Sequence, residues 1–128
     1  MRTSILAFTQ IGESLADRLL QTKILGLEPV RHDPSLSSAR AFVADQFRAS
    51  DLLVFIGAAA IAVRLIAPLL RDKSQDPAVL VLDETGRYVI PILSGHLGGA
   101  NQLALQVAKA LNATPVIKIG RASCRERV

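Results

Sequence analysis

The 128-residue sequence predicts an α/β protein, a three-layer α/β/α sandwich built on a mostly parallel, mixed sheet. Three observations predict it. Apolar runs of strand length alternate with stretches of helical spacing along the chain. The run Leu52-Leu53-Val54-Phe55-Ile56 is apolar at every position, as a strand covered on both faces of a sheet should be. Finally, the runs 78–83 and 88–93 are joined by too few residues for a parallel crossover, which needs roughly a dozen or more. They therefore form one antiparallel hairpin over about 78–93.

The elements follow in order. Thr3 to Phe8 is a strand, Thr9 to Gly12 a turn, and Glu13 to Ile24 a helix. Leu15, Ala16, Leu19 and Leu20 mark one face of that helix; Asp17, Arg18 and Gln21 mark the other. Leu27 to Arg31 is a weak strand, which Pro29 assigns to a sheet edge. Asp33-Pro34-Ser35 is a turn, and Ser37 to Arg48 a second helix. Gly57 ends the Leu52–Ile56 strand. Ala58 to Ala67 is then a nearly all-apolar helix that stops at Pro68. Arg71 to Asp76 is a charged loop, and Pro77 blocks a helix there. Ala78 to Asp83, the turn Glu84-Thr85-Gly86 and Tyr88 to Leu93 make the hairpin. A helix from Gly99 or Ala100 to Leu111 follows, and Pro115-Val116-Ile117 begins a last strand. There are no internal repeats, low-complexity stretches or linkers.

Composition narrows the function. Half the residues are apolar and a fifth are charged, which is globular rather than disordered. The longest apolar stretch, Ala58 to Leu70, is interrupted by Arg64 and Pro68 and falls short of the roughly 20 residues that cross a bilayer. The start at Met1-Arg2 runs straight into a strand without a cleavage signal, so the cytoplasm is the expected compartment and no membrane partner is implied. The net charge of +4 looks basic, yet residues 118–128 hold four of the fifteen cations and one of the eleven anions. The remaining body, residues 1–117, carries +1. Low aromatic content and the absence of a basic stripe in that body argue against nucleic acid. The one cysteine, Cys124, also lies in the tail. No Cys/His cluster has metal-ligand spacing, so no metal site is expected. The tail Lys-Ile-Gly-Arg-Ala-Ser-Cys-Arg-Glu-Arg-Val reads as an in-frame translation of a common sequencing adapter, not as native sequence. A basic arm that touches phosphates or a partner is the competing reading. On the adapter reading, residues 1–117 form one domain of a truncated protein.

The candidate site is the loop Ser94-Gly95-His96-Leu97-Gly98-Gly99-Ala100-Asn101, between a strand and a helix. Gly95, Gly98 and Gly99 let backbone approach closely, and the helix start aims free N–H groups and partial positive charge at the same spot. That suits a carboxylate or phosphate. His96 can serve as general acid or base near neutral pH, while Ser94 and Asn101 can hydrogen-bond. A plain Gly-rich turn with a capping Ser and an exposed His is the alternative. The spacing is neither a P-loop nor Gly-x-Gly-x-x-Gly, and Ser94 is not in a nucleophile elbow. The hairpin returns this loop to the rim of the sheet where 71–77 lies, so Lys73 and Asp76 join Ser94, His96 and Asn101 there, either as an anion contact and an acid/base or simply as solvated loop charges. The loops after Phe8 and Ile56 fall on the opposite rim. Gly57 and Ala58 there allow close backbone approach to a ligand, or simply tight packing of the next helix. Arg64 reads either as a buried guanidinium with a carboxylate or ligand partner, or as a snorkelling surface cation. Asp83 and Glu84 read as turn residues, Thr9 and Gly12 as helix-capping residues, and His32 as exposed.

A resemblance is carried by an ordered string of motifs: Phe55-Ile56-Gly57-Ala58 through Ala62-Val63-Arg64, Ile66-Ala67-Pro68-Leu69-Leu70, Asp72-Lys73, Asp76-Pro77-Ala78-Val79, Asp83-Glu84-x-Gly86 and Leu93 through Asn101. Over residues 3 to about 117 the sequence resembles the N-terminal domain of the cobalamin biosynthesis protein CbiG. The family's usual Thr-Thr-Ala-Thr-like stretch after Val116-Ile117 is missing, as are its central and C-terminal domains. The resemblance implies cobalt-precorrin-5A hydrolysis in anaerobic vitamin B12 synthesis: a δ-lactone is opened and a two-carbon fragment leaves as acetaldehyde. Such chemistry needs an activated water, an oxyanion donor and an acid/base for carbon–carbon cleavage. His96 is then the expected general base, with Asp76 as helper or alternate. Ser94, Asn101 and the Gly98 and Gly99 amides would bind the oxyanion or substrate carboxylates; Arg64 and Lys73 would read carboxylates. Cobalt would arrive within the corrinoid substrate, so no protein cofactor is expected. The competing class is a non-catalytic domain that grips the corrinoid or docks a neighbouring corrinoid methyltransferase.

Overall fold

Leu52–Ile56 forms the buried strand β3, every residue of it shielded on both faces of the sheet. The computed structural model describes residues 1–26, 28–95 and 98–117. Around β3 the chain builds β1 (Thr3–Ala7), α1 (Gln10–Gln21), β2 (Val30–Arg31) and α2 (Ala39–Ala49) before it, and α3 (Ala59–Ile66) after it. A single 3-10 turn, Ala67–Leu69, continues α3. Then come β4 (Ala78–Leu82), β5 (Tyr88–Ser94), α4 (Ala100–Leu111) and β6 (Thr114–Pro115).

The six strands lie in the order β2-β1-β3-β4-β5-β6. β2, β1, β3 and β4 are mutually parallel, β4 and β5 antiparallel, and β5 and β6 parallel again. This is the mixed sheet with one hairpin that the sequence predicts, and β2 is the edge strand that Pro29 foretold. Side chains alternate across the sheet, because successive strand residues point to opposite faces. Ile5, Ala7, Val54, Ile56, Leu80, Leu82 and Val89 meet α1 and α4 on one face. Leu6, Leu53, Phe55, Val79 and Val81 meet Phe42, Val43 and Phe47 of α2 and Ala62 and Ile66 of α3 on the other. The result is three layers, α/β/α.

Three local expectations change. Helix α1 starts at Gln10 rather than Glu13, because the Thr9 hydroxyl accepts the Gly12 N–H at 3.0 Å and so turns the expected Thr9–Gly12 turn into the first helical turn. Strand β2 is two residues long; Leu27, where the expected strand began, lies outside the described residues. His32 is buried, not exposed. Its backbone N–H pairs with Ile5 O, its Nε2 lies 2.7 Å from Ser37 O, and its ring packs on Phe42 with centroids 5.0 Å apart.

Candidate functional site

β4 enters the sheet at Ala78, and in register Ala78 pairs with Ser94 at the end of β5. That pairing carries the loop after β5 to the rim from which the 71–77 loop enters, as the hairpin geometry requires. Gly95 sits directly on β4: its φ is +78°, and there is no room for a side chain beside the Ala78 backbone. Gly95 and Gly98 are turn residues, and Gly95 O accepts the Gly98 N–H at 3.0 Å. Gly98 has φ +66° and open space around it. His96 and Leu97 lie outside the described residues.

Helix α4 opens out of this turn. Gly99 is its N-cap and has no side chain to offer, so among the described residues no side chain is seen to accept from the first N–H groups of the helix. Ser94, Gly98 and Asn101 are exposed around that end, and Ala100 is buried beneath it. The opening therefore offers backbone donors, partial positive charge and flanking polar side chains in one place.

The neighbouring loop is organised by Asp76. The residue is only 6% exposed, so it is not the solvated loop charge its sequence position also allowed. It accepts the Arg71 N–H at 3.1 and 3.2 Å and pairs with Arg48 Nη1 at 3.2 Å. The other Arg48 nitrogen donates to Leu69 O at 2.6 Å. A carboxylate so engaged pins the loop between α3 and β4. Sequence reasoning missed Arg48, the cation in the last turn of α2. The one available signal was topological, since α2 ends on the same rim. Lys73 is exposed on the loop that Asp76 anchors.

The other candidate residues are not brought to this rim. Gly57 and Ala58 lie at the opposite ends of the strands, about 17 Å away along a five-residue strand. Gly57, at φ +142°, lies under the Phe8 ring, where a Cβ would come within 2.5 Å of the ring. Phe8 in turn stacks on Phe55 with centroids 5.9 Å apart. Beside it the Thr9 hydroxyl donates to Glu84 Oε2 at 2.6 Å, tying the start of α1 to the hairpin turn. Glu84, read from sequence as a turn residue, thus also makes a long-range contact. Arg64 is exposed on α3, which resolves its two readings in favour of a surface cation.

A cavity of about 450 Å³ opens on the same rim as the 71–77 and 94–101 loops, but under β1 and β2. Arg2, Ser4, Gln46 and Ser50 line it, and none of the candidate residues does. It is a different place from the candidate site. Among the described residues no three His, Cys, Asp or Glu side chains are grouped to hold a metal ion. None of the described helices is long and apolar enough to cross a membrane.

Comparison with known proteins agrees with this architecture. Residues 41–120 match the family described as cobalamin synthesis G N-terminal. A cobalt-precorrin-5A hydrolase of Salmonella typhimurium is 60% identical over 65 residues, covering 51% of this chain and 18% of that protein. One from Priestia megaterium is 49% identical over 80 residues, covering 62% of this chain and 21% of that protein. A crystal structure described as a cobalamin biosynthesis protein G homolog from Sulfolobus solfataricus superposes with a TM-score of 0.78 at 25% identity. It matches 91% of this chain, which spans 36% of that longer one.

Proposed function

The chain belongs to the cobalamin synthesis G N-terminal family, and from that premise we propose that it serves as the amino-terminal part of a cobalt-precorrin-5A hydrolase. The observation that carries this reading is the Ala78–Ser94 pairing, which sets the 71–77 loop beside the uncapped start of α4. A contracted corrinoid is rich in acetate and propionate carboxylates. Free helix N–H groups and an exposed Lys73 are apt partners for them.

In this reading His96 acts as general base on the water that opens the δ-lactone. Ser94, Asn101 and the Gly98 and Gly99 amides hold the developing oxyanion or a substrate carboxylate. Lys73 reads a second carboxylate. Asp76 is a positioning residue, because its oxygens already hold Arg48 and the Arg71 N–H. Arg64, Gly57 and Ala58 fall outside this site. Cobalt enters as part of the substrate, and the reaction runs in the cytoplasm.

The test uses a full-length protein that contains this domain. His96→Gln is expected to slow acetaldehyde release by about 10²- to 10⁴-fold, the usual share of a general base, with affinity for the corrinoid retained. Release at the wild-type rate removes the base role. Loss of affinity and turnover together assigns the domain to binding instead.

A further inference from the structure

The hairpin that creates the candidate site also leaves the sheet one helix short. Every parallel step on the α2/α3 side of the sheet is covered by its own crossover helix: α2 for β2 to β3, and α3 for β3 to β4. A parallel step from β4 to β5 would add a third helix on that side. The antiparallel turn adds none, and the next helix, α4, packs on the other side with α1.

The strand register shows which residues this leaves open. Val81 faces α3 and pairs with Ile90, so Ile90 points the same way, and Tyr88 shares its side by alternation. Tyr88 is 47% exposed and Ile90 only half-buried, whereas Ile92 and Leu93, at the register shift of β5, pack against the α2/α3 cluster. On the same side, α3 turns Ile61 and Val63 to solvent although its composition is almost wholly apolar. A strand face in a doubly covered sheet is ordinarily shielded on both sides.

We infer that this open α3/β5 side of the sheet is the surface on which the remaining polypeptide docks in the longer members of the family. Two facts choose that occupant. Nearly two thirds of the Sulfolobus solfataricus chain lies outside the match, so the longer relatives have ample chain to cover it. The described chain also leaves the sheet through β6, whose Thr114 pairs with Tyr88 at the edge of the open side, with Val116 exposed directly beyond. Chain continuing from β6 would start at the edge of this face. The inference rests on family membership alone and not on the hydrolase reading.

Tyr88 is the one tyrosine of the chain, and there is no tryptophan, so a native probe already stands on the surface. Nitration by tetranitromethane, followed at the Tyr88 peptide by mass spectrometry, is measured on the 128-residue chain and on residues 1–117 continued by the remaining sequence of the Salmonella typhimurium relative. Equal hydrogen-exchange protection of β3 amides in both proteins establishes that the domain is folded alike. The expected result is nitration on the order of tenfold slower in the longer protein. Tyr88→Lys should leave the melting temperature of the short chain unchanged and lower that of the longer one. Equal nitration rates, or an equal effect of Tyr88→Lys on both, would overturn the inference. So would nitration of the short chain that slows with its own concentration, which makes a second copy the occupant.

Discussion

Gly95 and Ala78 touch so closely that a Cβ on residue 95 would lie 2.3 Å from the Ala78 nitrogen. The contact ties the candidate loop to the first residue of β4. Gly95→Ala combines a positive φ with a backbone clash and should cost about 1–3 kcal/mol or more, read by urea denaturation. Gly98→Ala has the positive φ without the clash and should cost about 1 kcal/mol. Equal losses for the two would show that the close approach does not matter.

Arg48 and Asp76 pin the loop that carries Lys73. Arg48→Ala strips a mostly buried carboxylate of a charged partner and should destabilise by about 1–3 kcal/mol. Limited proteolysis should cut the 71–77 loop faster in that variant. Lys73→Ala, on an exposed side chain, should change stability by less than about 0.5 kcal/mol. In a full-length protein it should weaken corrinoid binding.

Thr9 joins two elements through one hydroxyl, capping α1 and donating to Glu84. Thr9→Val keeps the shape and loses both bonds, with an expected cost of about 1 kcal/mol from the cap. Thr9→Ser should recover most of it. Thermal unfolding of the three proteins measures the difference.

Asp83 gives the hairpin turn a pH dependence. Burial pushes its carboxyl up, but the Thr85 hydroxyl and the N–H groups of Tyr88, Arg87 and Thr85 outweigh that and hold it below the usual carboxylate range. A depressed folded-state value contributes stability that is fully present above the unfolded value, about 3.9, and is lost as pH falls through the folded one. The stability advantage of the wild type over Asp83→Asn should therefore be constant near neutrality and shrink below about pH 4. An advantage that grows on acidification would contradict the assignment.

The open side of the sheet makes one further expectation concrete. Ile90→Asp places a charge on a half-buried position of the open side, and should lower the melting temperature of the longer protein more than that of the short chain. Thermal unfolding of the two proteins checks it.

The residue pattern alone determined the layer order, the strand β3 to its last residue, the hairpin and the shared rim of the 71–77 and 94–101 loops. Those features follow from apolar periodicity and from how few residues separate two strands, and both are local properties of the chain. Only the tertiary structure decided that Asp76 is held by Arg48, 28 positions away, that His32 is buried on Phe42, that Arg64 faces solvent, and that Tyr88 of β5 is left exposed. Each of these depends on which face of one element meets which face of another. Such contacts join residues distant in sequence, and spacing along the chain carries no record of them.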